Sequence, residues 1–294
     1  MPDGKTLSGQ VAWVTGSSRG LGRVMATELC RLGAAVAVHG TRFDSPRSFG
    51  EGESMEQVAR DIATDAAQGG VSGAESAGPQ FSTTGPTMPI WGDVTDESEV
   101  KRMAGEIRRR LGRIDILVAN AGGDIGAGGT GVGRGGRPNP DDGIGIPLAD
   151  IRAVMDRNLL SCILCCREVA PEMMGRKSGR IITIGSIAGT FGRDDGAIYA
   201  VAKAAVHEYT RCLATQLRAH NVTVNCVAPG GTVTQRFLVI QEIDQQKLVE
   251  EGTLNRYGRP QEIASVVAFL ASEAGRFVSG QVLRVDGASQ CWPA

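Results

Sequence analysis

A chain of 294 residues, 41% apolar and 21% charged, has the composition of a water-soluble globular protein and is long enough to bury a large core. A formal net charge of −1 excludes a broad basic field for nucleic acid or an anionic membrane. Residues 1–9 are polar and no run of about 18 apolar residues occurs, so neither a secretory leader nor a membrane span is expected, and the reading is cytoplasmic.

The predicted elements alternate. Residues 11–14 form a short apolar run that stops at Thr15-Gly16, the mark of a buried parallel strand. Leu21, Val24, Met25, Leu29 and Leu32 then recur at helical spacing, Gly33 ends that helix, and 36–38 is a second strand. Strands are further predicted at 89–92, 114–119, 180–184, 222–227 and 281–285. Between them, helices are predicted at 55–67, 100–111, 151–174, 199–217 and 261–270. Seven strands alternating with helices predict one α/β domain over 1–294, a doubly wound parallel sheet covered on both faces.

Two glycine-rich stretches break the rhythm, at 68–87 and 123–145. The first joins a helix to the start of a strand, at the edge away from any ligand. The second leaves the carboxyl end of a strand, where ligands bind in open α/β sheets; it reads as a lid, a substrate wall or a solvated insertion.

The seven cysteines form no pair of CxxC motifs, so no metal site is expected. Most lie in apolar runs and read as buried free thiols; Cys162, Cys165 and Cys166 share one helix, where core packing is favoured over a redox role.

Thr15 to Gly22, TGSSRGLG, lies between the first strand and the first helix. Glycines there allow a tight turn and let backbone amides approach a phosphate at a helix N-terminus, so a nucleotide site is expected. Farther on, Tyr199 and Lys203 are four apart and share a helix face, with Ser186 thirteen residues upstream at a strand end. An ammonium beside a phenol favours its ionised form, as suits a group that exchanges a proton. The second strand ends in Gly40-Thr41-Arg42, without the acid that would bond a ribose 2′-hydroxyl. Arg42 and Arg19 could clamp a 2′-phosphate, so NADP(H) is favoured, and Asp44 keeps NAD(H) open.

These motifs resemble the short-chain dehydrogenase/reductase family along nearly the whole chain. The glycine pattern matches at Gly16, Ser18, Arg19, Gly20, Leu21 and Gly22, and Asn-Ala-Gly at Asn120, Ala121 and Gly122. The adenine-contacting pair matches Asp93 and Val94, and the motif after the sixth strand matches Pro229 and Gly230 with Thr232 and Thr234, the last placed to meet the nicotinamide carboxamide. The resemblance implies a Rossmann-type NAD(P)-dependent enzyme interconverting a carbonyl and an alcohol, with Tyr199 as acid and base. Lys203 would also bond the nicotinamide ribose, Ser186 would hold the substrate oxygen, and Asn158 would help a water relay reach the lysine. The usual assembly is a dimer or tetramer through the 151–174 and 199–217 helices. Acyl-thioester ketones, sugars, polyols and hydroxysteroids are all substrates in such a family. Phe191, Arg193, Asp194 and Asp195, between Ser186 and Tyr199, favour a polar, oxygen-rich small molecule, with 235–257 as the other wall. A sensor or scaffold that binds nucleotide without turnover is the alternative, though pure binding does not ask for the Ser-Tyr-Lys spacing.

Overall fold

The computed structural model describes residues 6–68, 85–249 and 251–291. The elements run β1 (Val11–Val14), α1 (Gly20–Arg31), β2 (Ala35–Gly40), α2 (Met55–Gln68), β3 (Thr87–Trp91), α3 (Glu97–Leu111) and β4 (Ile116–Ala119). They continue α4 (Leu148–Met155), α5 (Ser161–Arg176), β5 (Gly179–Ile184), α6 (Ala197–Leu217), β6 (Val222–Pro229), α7 (Gln235–Ile240), α8 (Pro260–Ala271) and β7 (Val282–Val285). All seven strands are parallel, in the order β3-β2-β1-β4-β5-β6-β7. The chain reverses direction across the sheet between β1 and β4, and the crevice at that switch point is where such sheets bind ligands.

The two central strands, β1 and β4, are apolar and buried at every position because both faces are covered. One face packs Trp13, Leu117, Ile181 and Val224 under α3, α5 and α6. The other packs Val14, Val38, Val118 and Ile182 under α1, α2 and α8. Cys162, Cys165 and Cys166 are buried free thiols of the first layer, as their spacing predicted. Among the described residues no His, Cys, Asp or Glu cluster could hold a metal, and no helix is long and apolar enough to cross a membrane.

The expected 151–174 helix departs from regularity. α4 passes into α5 through a wide π-type turn at Asp156–Leu160. The cause is Asn158, whose side-chain amide donates 2.8 Å to the Val154 carbonyl, the acceptor its backbone would use in an α-helix. The expected 68–87 loop lies mostly outside the described residues; 68 closes α2 and 87 opens β3. The 123–145 segment carries no strand and no α-helix, and its start lies over the carboxyl ends of the strands.

Candidate active site

Two cavities, of about 460 and 260 Å³, share Gly16, Arg19, Asn120 and Gly122 and form one cleft across the switch point. The glycine loop is held shut by close packing. Gly16 is left-handed at φ 66°, and a Cβ on Gly22 would lie 2.3 Å from the Gly16 carbonyl. Only glycine lets the start of α1 come this near the loop. Asn120 pins the same loop, its Nδ2 donating to the carbonyls of Thr15 (2.9 Å) and Gly16 (3.2 Å). The Thr15 hydroxyl accepts from the Asn120 and Ala121 amides. Gly122 sits 2.5 Å, at its would-be Cβ, from Asn158 Oδ1, so no side chain fits there either.

The helix N-terminus already receives an anion. Glu51 Oε2 accepts from the Gly20 amide at 2.8 Å, and Leu21 and Gly22 border the cavity beside it. A carboxylate on that amide stands where phosphate oxygens are bound in such folds, so this cradle fits a dinucleotide pyrophosphate.

Sequence reasoning missed His39. It closes β2, buried, accepting on Nδ1 from the Gly16 amide (2.9 Å) while Nε2 donates to the Gly92 carbonyl (3.0 Å). Burial pushes it down to about 4, so the ring is neutral and can play both roles at once. The segment 41–54, left unassigned by periodicity, also reaches the cleft. Arg19 donates to the Ser45 carbonyl at 2.6 Å and stacks 5.0 Å over the Phe49 ring. Arg42 is exposed and pairs with Asp44 at 3.3 Å. Arg19 and Arg42 line the smaller cavity with Asp93 and Val94. Asp93 Oδ1 accepts from the Thr95 amide and hydroxyl, an Asx turn that fixes its direction.

Ser186, Tyr199 and Lys203 converge on the larger cavity, together with Pro229, Gly230, Thr232 and Thr234. Ser186 caps a short turn after β5, its Oγ accepting from the Ala188 amide at 3.1 Å. Lys203 is buried; its Nζ donates 2.8 Å to the Ile184 carbonyl and stands 5.7 Å from the Tyr199 ring centre. His207, one turn after Lys203, lies behind the serine and accepts from its amide at 3.4 Å. Burial, and then the Lys203 and Arg211 charges, push His207 down to about 4. Thr234 caps α7, accepting from the Phe237 amide at 3.1 Å, and Thr232 donates to the Gly230 carbonyl at 3.0 Å.

Asn158 is engaged differently from a free relay group. Besides Val154, it accepts from the Gly123 amide and donates to the Gly123 carbonyl, both at 2.9 Å. Its side chain therefore fastens the root of the insertion.

The insertion builds the far wall. Arg137 is almost fully buried and pairs with Asp141 at 2.6 Å, Asp195 at 2.7 Å and Asp124 at 3.2 Å. Burial, with Asp141 beside it, pushes Asp124 up to about 7. Arg236 donates to the Asp124 carbonyl at 2.6 Å. Arg193, Arg137 and Asp124 border the cavity, whereas Phe191 does not. Phe237 and Tyr257, ring centres 5.0 Å apart, face them.

Fold and cleft together define a Rossmann-type dinucleotide-binding protein. A family model described as enoyl-(acyl carrier protein) reductase matches residues 59–288. Cyclohexanol dehydrogenase of Rhodococcus sp. (strain TK6) is 35% identical over 98% of each chain. The 7alpha-hydroxysteroid dehydrogenase of Escherichia coli (strain K12) is 32% identical over 97% of this chain and 96% of its own. A solved 7 alpha-hydroxysteroid dehydrogenase, complexed with NADH and 7-oxo glycochenodeoxycholic acid, superposes with a TM-score of 0.77 at 29% identity, covering 98% and 97% of the two chains. The chain belongs to the short-chain dehydrogenase/reductase family. It is an NAD(P)-dependent oxidoreductase acting on alcohol and ketone carbons, which sets aside the sensor alternative.

Proposed function

We propose that Tyr199 is the acid and base of this enzyme, with Ser186, Lys203 and Asn158 supporting it, and that NADP(H) is the preferred cofactor. The observation that carries the reading is the meeting of Ser186, Tyr199 and Lys203 on one cavity, continuous with the glycine cradle.

A reduced nicotinamide bound in that cleft supplies a hydride to the substrate carbon. Tyr199 Oη gives a proton to the carbonyl oxygen as it gains negative charge, and takes it back in the oxidation direction. The Ser186 hydroxyl donates a hydrogen bond to the same oxygen, which strengthens as charge develops. Lys203, fixed by the Ile184 carbonyl, places its ammonium below the Tyr199 ring. Lys203 also borders the cavity, from which it would bond the nicotinamide ribose. Asn158 holds Gly123, and so the wall of the pocket, against the wide turn.

The cofactor preference rests on the absence of an acid at the end of β2 and on Arg19 and Arg42 bordering one cavity. Asp44 partly screens Arg42. Steady-state reduction of a ketone panel with NADPH and with NADH tests both parts. The expected result is turnover with a higher kcat/KM for NADPH, and an Arg42→Ala variant whose preference falls about tenfold toward NADH. A wild-type preference for NADH overturns the phosphate assignment; no turnover with any ketone or alcohol overturns the activity.

We also propose a homo-oligomer. Leu148 and Leu160, flanking α4 and the wide turn, and Val201 of α6 are 60%, 38% and 56% exposed, an apolar surface fit for a second copy. Light scattering is expected to give the mass of a dimer or tetramer, and a monomer at micromolar concentration refutes it.

A further inference from the structure

Three guanidinium groups border the substrate end of the cavity: Arg137, Arg193 and Arg236. Arg137 is met by Asp124, Asp141 and Asp195, and Arg193 by Asp195 at 2.7 Å. Arg236 stands apart. Its Nη2 and Nε donate to the backbone carbonyls of Asp124 and Gly135, and it forms no ion pair among the described residues. The carboxyl of Asp124, whose charge reaches Arg236, is committed to Arg137. Burial and its neighbour Asp141 also hold Asp124 toward its neutral form. At the substrate end of the cavity Arg236 is therefore a half-buried guanidinium without a counter-ion among the described residues, and it shares that cavity with Tyr199 and Ser186.

A cation drawn out of water without a counter-charge is costly, unless an anion arrives to complete it. We propose that Arg236 receives the carboxylate of the substrate, so that the enzyme acts on an oxo acid and its hydroxy acid. With Lys203 engaged by the Ile184 carbonyl and the Tyr199 ring, one unpaired guanidinium at this end matches a monoanion; a phosphate dianion would want two. Phe237 and Ile240, on the same helix as Arg236, and the ring of Tyr257 give an apolar wall for the rest of the acid. The Tyr257 hydroxyl is occupied, accepting from the Asp244 amide at 3.1 Å. The inference rests on the carbonyl–alcohol reading above and names its substrate class.

The test uses matched pairs of probes, 2-oxo, 3-oxo and 4-oxo acids of five or more carbons, each against its methyl ester. The ratio of kcat/KM for acid over ester is read in wild type, Arg236→Lys, Arg236→Gln and Arg236→Met. For at least one spacing the wild-type ratio is expected to be well above one. It should fall by about 30- to 1,000-fold in Arg236→Met and Arg236→Gln, and far less in Arg236→Lys. Glutamine can still donate to one of the two carbonyls, so it separates loss of charge from loss of fold. Esters turned over as well as acids at every spacing overturn the inference while leaving the reaction class standing. An equal loss on acids and esters, with the pH profile displaced, also overturns it and places Arg236 as a positioning residue for Tyr199. Failure of acids and esters alike, with other ketones also inert, counts against the reaction class itself.

Discussion

Tyr199→Phe is expected to lower kcat by about 10²–10⁴-fold while leaving reduced cofactor binding intact, because proton transfer by a positioned side chain contributes about that much. The substitution is clean. The Tyr199 hydroxyl makes no hydrogen bond among the described residues, so its removal orphans no buried partner. The ring stays to pack above Lys203. Lys203 keeps its bond to the Ile184 carbonyl, so the floor of the site is unmoved. Steady-state kinetics, with cofactor fluorescence titration as control, check it. A kcat within tenfold of wild type removes Tyr199 from the proton path.

Arg137→Ala is expected to cost about 3–5 kcal/mol of stability at neutral pH, the penalty for stripping the partner from a buried ion cluster. Asp124 and Asp141, each with a side chain only 10% exposed, would be left facing each other across the vacated space. The pH dependence has a defined sign. Burial raises Asp124 from the ordinary carboxylate range to about 7, so the folded state holds a proton that the unfolded chain has released. Its contribution to stability is full below about pH 4 and is lost as pH rises toward about 7. The Arg137 charge opposes that rise in the wild type, so removing it pushes the carboxyl further up. Between about pH 4 and about pH 7 both folded proteins hold this proton and lose stability in parallel, so the gap between wild type and variant should hold steady there and widen from about pH 7 to about pH 9. Thermal or urea unfolding across that range measures it. A gap below about 1 kcal/mol, or one that ignores pH, would show that the cluster is solvated and does not bind the insertion down. Arg137→Lys should recover part of the loss, since it restores the charge without the fork that grips three carboxylates.

The two expectations bear on different parts of one cleft, and the sequence reached them unequally. The parallel sheet, its order of elements and the Ser186, Tyr199 and Lys203 set were legible because they are local. A strand covered on both faces is an unbroken apolar run, and a residue pair four apart on a helix shares a face. Even the interval from Ser186 to Tyr199 is a property of one short connection between β5 and α6.

What the sequence left open is what depends on distant segments meeting. His39 and His207 looked like ordinary residues of a strand and a helix. Only folding puts the first between the Gly16 amide and the Gly92 carbonyl, and the second behind Ser186. Glu51 and Phe49 fell in a stretch with no period, yet they meet Gly20 and Arg19. The wide turn at Asn158 could not be read from spacing, because its cause is a side-chain amide shared with Gly123, 35 residues away. The 123–145 insertion offered several readings until Arg137, Asp124, Asp141 and Asp195 were seen to close on one another. Residue types and short intervals determined the fold class and the proposed Ser186, Tyr199 and Lys203 set. Tertiary contact decided which charges are buried, which are paired and which, Arg236 at the substrate end of the cleft among them, have no counter-ion among the described residues, because desolvation and ion pairing depend on through-space distance and not on separation along the chain.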